Sequence, residues 1–154
     1  MSKGATLLIA DAGPVIALLG IQQLGLLSQL FDRVVLTATV RAEILHPLPS
    51  FMEVVPDPKD TSTHTWGRVI DIGEQTAIAL AIEHPKAELL IDDLAGRREA
   101  ASRGILLLGT LGLLRRAKLR GLLTKVRPST DGLIGNGLWI SPILYEQFLK
   151  SCSE

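Results

Sequence analysis

The chain has 154 residues, 47% of them hydrophobic and 21% charged, with a mean hydropathy of +0.31. That length suits one domain spanning 1–154, and so much apolar mass excludes general disorder. Sixteen basic residues balance sixteen acids, which argues against a general polyanion binder, and a single cysteine, Cys152, excludes a disulfide framework or a cysteine zinc site within one chain. Aromatic residues make up only 4%, so the core is expected to be aliphatic, as in folds whose parallel strands are buried on both faces.

Thr6–Ala10 reads as a short buried strand that ends at Asp11. Gly13-Pro14 then opens a helix, with proline in its first turn. Residues 22–31 read as a second helix, and Arg33–Leu36 as a β-branched strand. Thr37 or Thr39 can cap a helix reaching about Leu45, which His46-Pro47-Leu48-Pro49 stops. Residues 56–65 are loop-like. Gly73 introduces a helix over Glu74–Glu83 that is apolar nearly all round and therefore buried. Glu88–Ile91 is the next strand, followed by Asp92-Asp93 and a helix over Leu94–Arg103 that Gly104 terminates. Ile105–Leu108 is a strand and Gly109–Arg120 a helix. Residues 132–137 form a turn region before a last helix at 138–151. Helices alternating with short aliphatic strands imply parallel βαβ units. No apolar run reaches the length of a membrane span, and the first residues are too short for a signal peptide, so a soluble protein of a reducing compartment is expected.

Charge is polarised along the chain. Residues 97–127 carry nine basic groups against Glu99, net +8, whereas residues 1–96 are net −6. Such polarity suits an anionic site beside a cationic one. The acids fall where an open parallel sheet places its functional crevice, beyond the carboxyl ends of the strands. Asp11 follows the first strand and Asp92-Asp93 a later one. Glu43 lies on the helix after the second strand, and Glu74 in the first turn of the buried helix. With Pro14 as the first helical residue, Gly13 takes the cap position and Asp11 lies too early to cap. One Asp of the 92–93 pair can cap the next helix, but its neighbour is surplus to that task. Two adjacent carboxylates repel unless a cation is present. Carboxylates without His or Cys partners suit Mg²⁺ or Mn²⁺, which supports phosphodiester hydrolysis. Trp66 and Trp139 are read as buried rather than base-stacking.

Five segments in order carry a resemblance. They are Asp11-Ala12-Gly13-Pro14-Val15-Ile16-Ala17, Val40-Arg41-Ala42-Glu43-Ile44, Gly73-Glu74-Gln75-Thr76-Ala77-Ile78-Ala79-Leu80, Leu90-Ile91-Asp92-Asp93-Leu94-Ala95-Gly96-Arg97-Arg98 and Gly109-Thr110-Leu111-Gly112. With a closing Ile140-Ser141-x-x-x-Tyr145, they resemble the PIN-domain family over nearly the whole chain, and most closely its prokaryotic branch of uncharacterised nucleic-acid-binding proteins. The resemblance implies a three-layer α/β/α sandwich around a mostly parallel sheet. It also implies a Mg²⁺- or Mn²⁺-dependent ribonuclease related to VapC-type toxins, acting in the cytoplasm. Its implied partners are RNA, a small antitoxin and a second copy as a homodimer, with no membrane. Carried over by motif, the catalytic acids are Asp11, Glu43, Glu74 and Asp93, and the metal is held by Asp11, Glu43 and either Asp92 or Asp93. Glu74 stands where many members have Asp, so its carboxylate reaches one methylene further. From the basic segment, Arg97, Arg98, Arg115 and Arg116 are expected to contact RNA phosphates. A non-catalytic RNA- or protein-binding module is the alternative. A dinucleotide-binding fold would need a glycine-rich first turn, which Asp11-Ala12-Gly13-Pro14 is not.

Overall fold

The computed structural model describes residues 6–154. Five parallel strands form one sheet in the order β3-β2-β1-β4-β5. They are β1 (Leu7–Ala10), β2 (Arg33–Thr37), β3 (Met52–Val55), β4 (Glu88–Leu90) and β5 (Leu106–Leu108). The central β1 pairs with β2 through Leu7↔Arg33 to Ile9↔Val35, and with β4 through Leu8↔Glu88 to Ala10↔Leu90. Leu8, Ile9, Ala10, Leu89 and Leu90 are wholly buried, as strands covered on both faces must be.

Eight α-helices among the described residues complete the fold: α1 (Ala12–Gly20), α2 (Leu26–Leu30), α3 (Ala38–Glu43), α4 (Ile72–Glu83), α5 (Leu94–Ser102), α6 (Thr110–Leu119), α7 (Arg127–Gly135) and α8 (Pro142–Ser151). The chain runs outward from β1 to β3, then crosses back to β4 on the other side of β1. Right-handed crossovers therefore put α4 and α5 on the face opposite α1, and contacts of α6 and α7 with α1 complete the first face. The reversal makes β1 and β4 the topological switch point, where such sheets open a crevice. α4 crosses there, touching β1, β2, β4 and α3, which explains its apolar surface.

Several boundaries differ from the sequence reading. The second helix covers only Leu26–Leu30, because Gln22 takes φ 58° in a turn that ends α1. β3 and α7 were not anticipated. α7 runs through Gly132, part of the expected turn region, and the last helix starts at Pro142. Trp139 is 84% exposed rather than buried, whereas Trp66 is half-buried with the Arg103 guanidinium 4.7 Å from its ring centroid. Among the described residues no helix is long and apolar enough to cross a membrane.

Candidate active site

The end of β1 and the start of α1 set the first acid. Asp11 donates its backbone N–H to the Leu90 carbonyl at 2.9 Å, which ties it to β4. α1 begins at Ala12, so Asp11, not Gly13, occupies the cap position. Its side chain makes no capping bond, however, and only 6% of the residue is exposed. The carboxylate is thus buried without the structural task that would explain it. Burial pushes its pKa up to about 7, against the pull of the Ala12 N–H, and the charges of Asp71, Glu43 and Asp93 add to the rise.

Two buried threonines join the helices that bring the next acids. Thr37 caps α3 by accepting from Val40 N at 3.2 Å, and its hydroxyl lies 2.8 Å from that of Thr76. Thr76 gives its own proton to the Gly73 carbonyl at 2.7 Å, so Thr37 is the donor between them. This chain fixes the start of α3 to the start of α4, and α3 then ends at Glu43. The Glu43 carboxylate lies over Gly73, where a Cβ would collide with it. Partial burial and the charge of Asp71 raise its pKa.

Glu74 is the most constrained acid. It is 6% exposed, and its Oε2 is buried with no hydrogen-bond partner. That oxygen lies against Gly96 in α5, where a Cβ would clash with it and also come within 2.7 Å of Ile91 Cδ1. Burial raises its pKa to about 9. A hydrogen bond with the Asp71 carboxylate and the charges of Asp71, Asp93 and Asp11 act in the same direction. Asp71, which the sequence reading passed over, caps α4 by accepting from Glu74 N at 2.8 Å and faces three of the other acids. Its signal was available: Asp71-x-x-Glu74 ahead of an apolar run has the spacing of a capping box.

The Asp92-Asp93 pair divides its work. Asp93 caps α5, accepting from Gly96 N at 3.0 Å, and its charge is felt by Asp11 and Glu74. Asp92 turns instead to α6, accepting from Thr110 N at 2.8 Å and from the Thr110 hydroxyl. Neither Asp is surplus to capping, as the sequence argument supposed. Each satisfies a different helix N-terminus, and only Asp93 shares the field of Asp11 and Glu74.

The basic segment is also redistributed. Arg97 stays near the acids, with Nη1 donating to the Ile91 carbonyl at 2.7 Å, and Arg98 is exposed on the same helix. Arg115 and Arg116 lie towards the far end of α6. Arg116 forms a two-pronged pair with Glu88 at the start of β4, both contacts at 2.8 Å, and its guanidinium stands 5.7 Å from the Phe31 ring centroid. Arg115 donates to the Ser151 carbonyl at 3.2 Å, and Lys118 pairs with Glu154 at 2.9 Å. Burial works against the charge of Glu154, but Lys118 and the N–H groups of Val126 and Arg127 hold its pKa at about 2. Two of the nine basic groups in the run, Arg116 and Lys118, are therefore paired with acids from elsewhere in the chain. Arg115 and Arg116 belong to the opposite end of the sheet from Asp11.

Acids from four chain segments thus meet at the switch point of a 3-2-1-4-5 parallel sheet. A family model described as a PIN domain matches residues 7–154. The chain belongs to the PIN-domain family. No curated protein and no solved structure matches the chain significantly. PIN domains are generally nucleases, and the all-parallel sheet with its helices agrees with the α/β fold expected of one.

Does the acid set suit a divalent ion? Among the described residues, no three His, Cys, Asp or Glu side chains already form a group that could hold one. The chemistry nevertheless fits. All the nearby donors are carboxylate oxygens, which hard cations prefer. One of them, Glu74 Oε2, is buried and unpaired. Burial is the main cause of the raised pKa values of Asp11, Glu43 and Glu74, and the neighbouring acid charges add to the rise in each. Asp11, Glu43, Glu74 and Asp93 are the residues that would hold such an ion.

Proposed function

We propose that this PIN-domain protein is a metal-dependent endoribonuclease that hydrolyses RNA phosphodiester bonds using Mg²⁺ or Mn²⁺. The observation that carries the reading is the buried Glu74 carboxylate, with an orphaned oxygen, at the point where Asp11, Asp71 and Asp93 converge. A buried acid with no cationic partner is unfavourable for stability, so its retention points to function. A divalent ion supplies Lewis-acid chemistry, lowering the pKa of a water and neutralising charge on a phosphate. The protein's own part is placement. The bond from Gly96 N holds Asp93, and that to Leu90 O holds the Asp11 backbone. Gly73 and Gly96 leave the space that the Glu43 and Glu74 carboxylates occupy. Arg97 and Arg98, on the helix that Asp93 caps, are basic residues placed to meet a phosphate beside the acids. The toxin role with a small antitoxin, the cytoplasmic setting and the homodimer accompany this reading on the strength of the family alone.

The experiment is cleavage of a mixed pool of single-stranded RNA in Mg²⁺ or Mn²⁺, resolved on a denaturing gel. Wild type is expected to cut, and EDTA or Asp11→Asn to lower the rate about a hundredfold or more. Cleavage undiminished by both changes refutes the nuclease site. RNA binding without cleavage under any metal favours the non-catalytic module.

A further inference from the structure

A cavity of about 530 Å³ opens beside the acid cluster, between the end of β5, the start of α6 and the segment leading into α8. The cluster and the cavity meet at consecutive residues. Asp93 shares the field of Asp11 and Glu74, while Asp92 and Arg97 line the cavity. The walls are aliphatic, from Leu108, Leu111, Leu138 and Leu144. Leu144 is 48% exposed, so apolar surface there meets water. Trp139, next in the chain to the Leu138 wall, is 84% exposed.

The polar groups of the cavity are unequal. Asp92 already accepts one bond from Thr110 on each of its oxygens. The guanidinium of Arg97 makes one hydrogen bond among the described residues, to the Ile91 carbonyl, and it has five N–H donors. Gly109, which precedes α6, has no side chain to cap it. The N–H groups of Leu111 and Gly112 in the first turn of α6 therefore have no helical acceptor. Apolar walls with more unused donors than acceptors favour a flat, apolar ligand with an acceptor edge.

Resting on the nuclease reading above, we infer that this cavity receives the unpaired base next to the scissile phosphate, and that Arg97 reads the O6/N7 edge of a guanine there. Recognition of single-stranded RNA runs through splayed bases packed on side chains and bonded along their edges. Arginine paired to guanine O6 and N7 is the commonest specific contact to a base. Arg97 accordingly acts as a specificity-determining residue and not only as a phosphate contact. The cavity volume lies within the roughly 300–1,000 Å³ of small-ligand sites.

The test uses four dye-labelled nine-nucleotide RNAs, U4-X-U4 with X as G, A, C or U, titrated by fluorescence anisotropy in EDTA. Repulsion from the acids is the same for all four RNAs, so their ranking isolates the base. Wild type is expected to bind the G oligomer at least about fivefold more tightly than the U oligomer. The Leu138→Gln/Leu144→Gln double variant and Arg97→Gln should each reduce that ratio below about twofold, with thermal melting confirming that they fold. Equal affinity for all four RNAs overturns the inference, as does a guanine preference that survives both variants. Those results leave the nuclease reading standing if cleavage is metal-dependent. Failure to bind any of the four overturns the inference too, and a lack of cleavage beside it overturns the nuclease reading.

Discussion

Replacing Glu74 by Gln tests the acid cluster through stability, without any substrate. Gln has the shape of the protonated acid and cannot ionise. In the metal-free protein the Glu74 pKa stands at about 9 against an ordinary 4.5. A carboxyl with a raised pKa keeps its proton longer in the folded chain. Its contribution to stability is therefore complete below about pH 4.5 and is lost as pH rises towards about 9. At about 1.4 kcal/mol per pH unit, the loss by pH 7 is at most about 3 kcal/mol. Asp11, raised from 3.8 to about 7, adds a parallel loss that is complete by about pH 7 in wild type and variant alike. In EDTA the Tm of wild type should therefore fall relative to Glu74→Gln between pH 5 and 8, and at pH 7 the variant should melt higher by up to roughly 6–12 °C. Mg²⁺ should close most of that gap, because an ion at a hundred times its dissociation constant stabilises wild type by about 2.7 kcal/mol and the variant by less. The assay is differential scanning fluorimetry across pH, with urea melts at pH 5 and 7. Parallel curves for the two proteins in EDTA would refute the argument, since they would mean that Glu74 is ionised without penalty or is not buried.

The two remaining predictions concern neighbours of the acids and the far end of the sheet. Gly96→Ala puts a methyl against Glu74 Oε2 and Ile91 Cδ1. It should cost about 1–3 kcal/mol by overpacking and lower cleavage more than tenfold under conditions where the protein is still folded; full activity would mean that Glu74 moves freely. Arg116→Met keeps the stem over Phe31 but removes the pair with Glu88, and should cost about 1 kcal/mol in urea melts while leaving RNA affinity within twofold. A tenfold loss of RNA affinity with unchanged stability would return Arg116 to a phosphate-binding role.

Strands and helices were legible where the local pattern and the tertiary fold agree. β1 and β5 are unbroken aliphatic runs, β4 is aliphatic after Glu88, and α4 is apolar nearly all round because it crosses the switch point. β3 escaped notice because it is an edge strand of four residues beyond a proline-rich turn, with two of the four exposed and Glu53 paired to Arg33 at 3.0 Å. α7 escaped because Gly132 and Gly135 weaken its intrinsic helicity. Packing supplies what propensity lacks: a Cβ at Gly132 would come 3.0 Å from Ile21 Cγ2, so the small residue lets α7 lie close to the end of α1.

The site was legible for a different reason. In a parallel sheet, the residues after a strand are delivered to one edge whatever their neighbours do, so Asp11 and the Asp92-Asp93 pair could be placed from strand ends alone, though not which member of the pair turns to the other acids. Charge counted along the chain had no such anchor. The run from Arg97 to Arg127 passes through α5, β5 and α6 to the first residue of α7, which carries its members to opposite ends of the sheet. Glu88, Glu99 and Glu154 then take up Arg116, Arg103 and Lys118. Asp71 shows the converse. As a helix cap in an exposed position it looks structural, yet its charge reaches Asp11, Glu43 and Glu74 alike. Capping and crowding are compatible because a carboxylate has two oxygens. Asp71 Oδ1 and Asp93 Oδ2 each hold a helix N-terminus, and that bond fixes where the rest of the charge must point. Two helices whose caps face one crevice thus concentrate negative charge there at little conformational cost. In such a site a divalent ion would relieve an imbalance that the fold has already built.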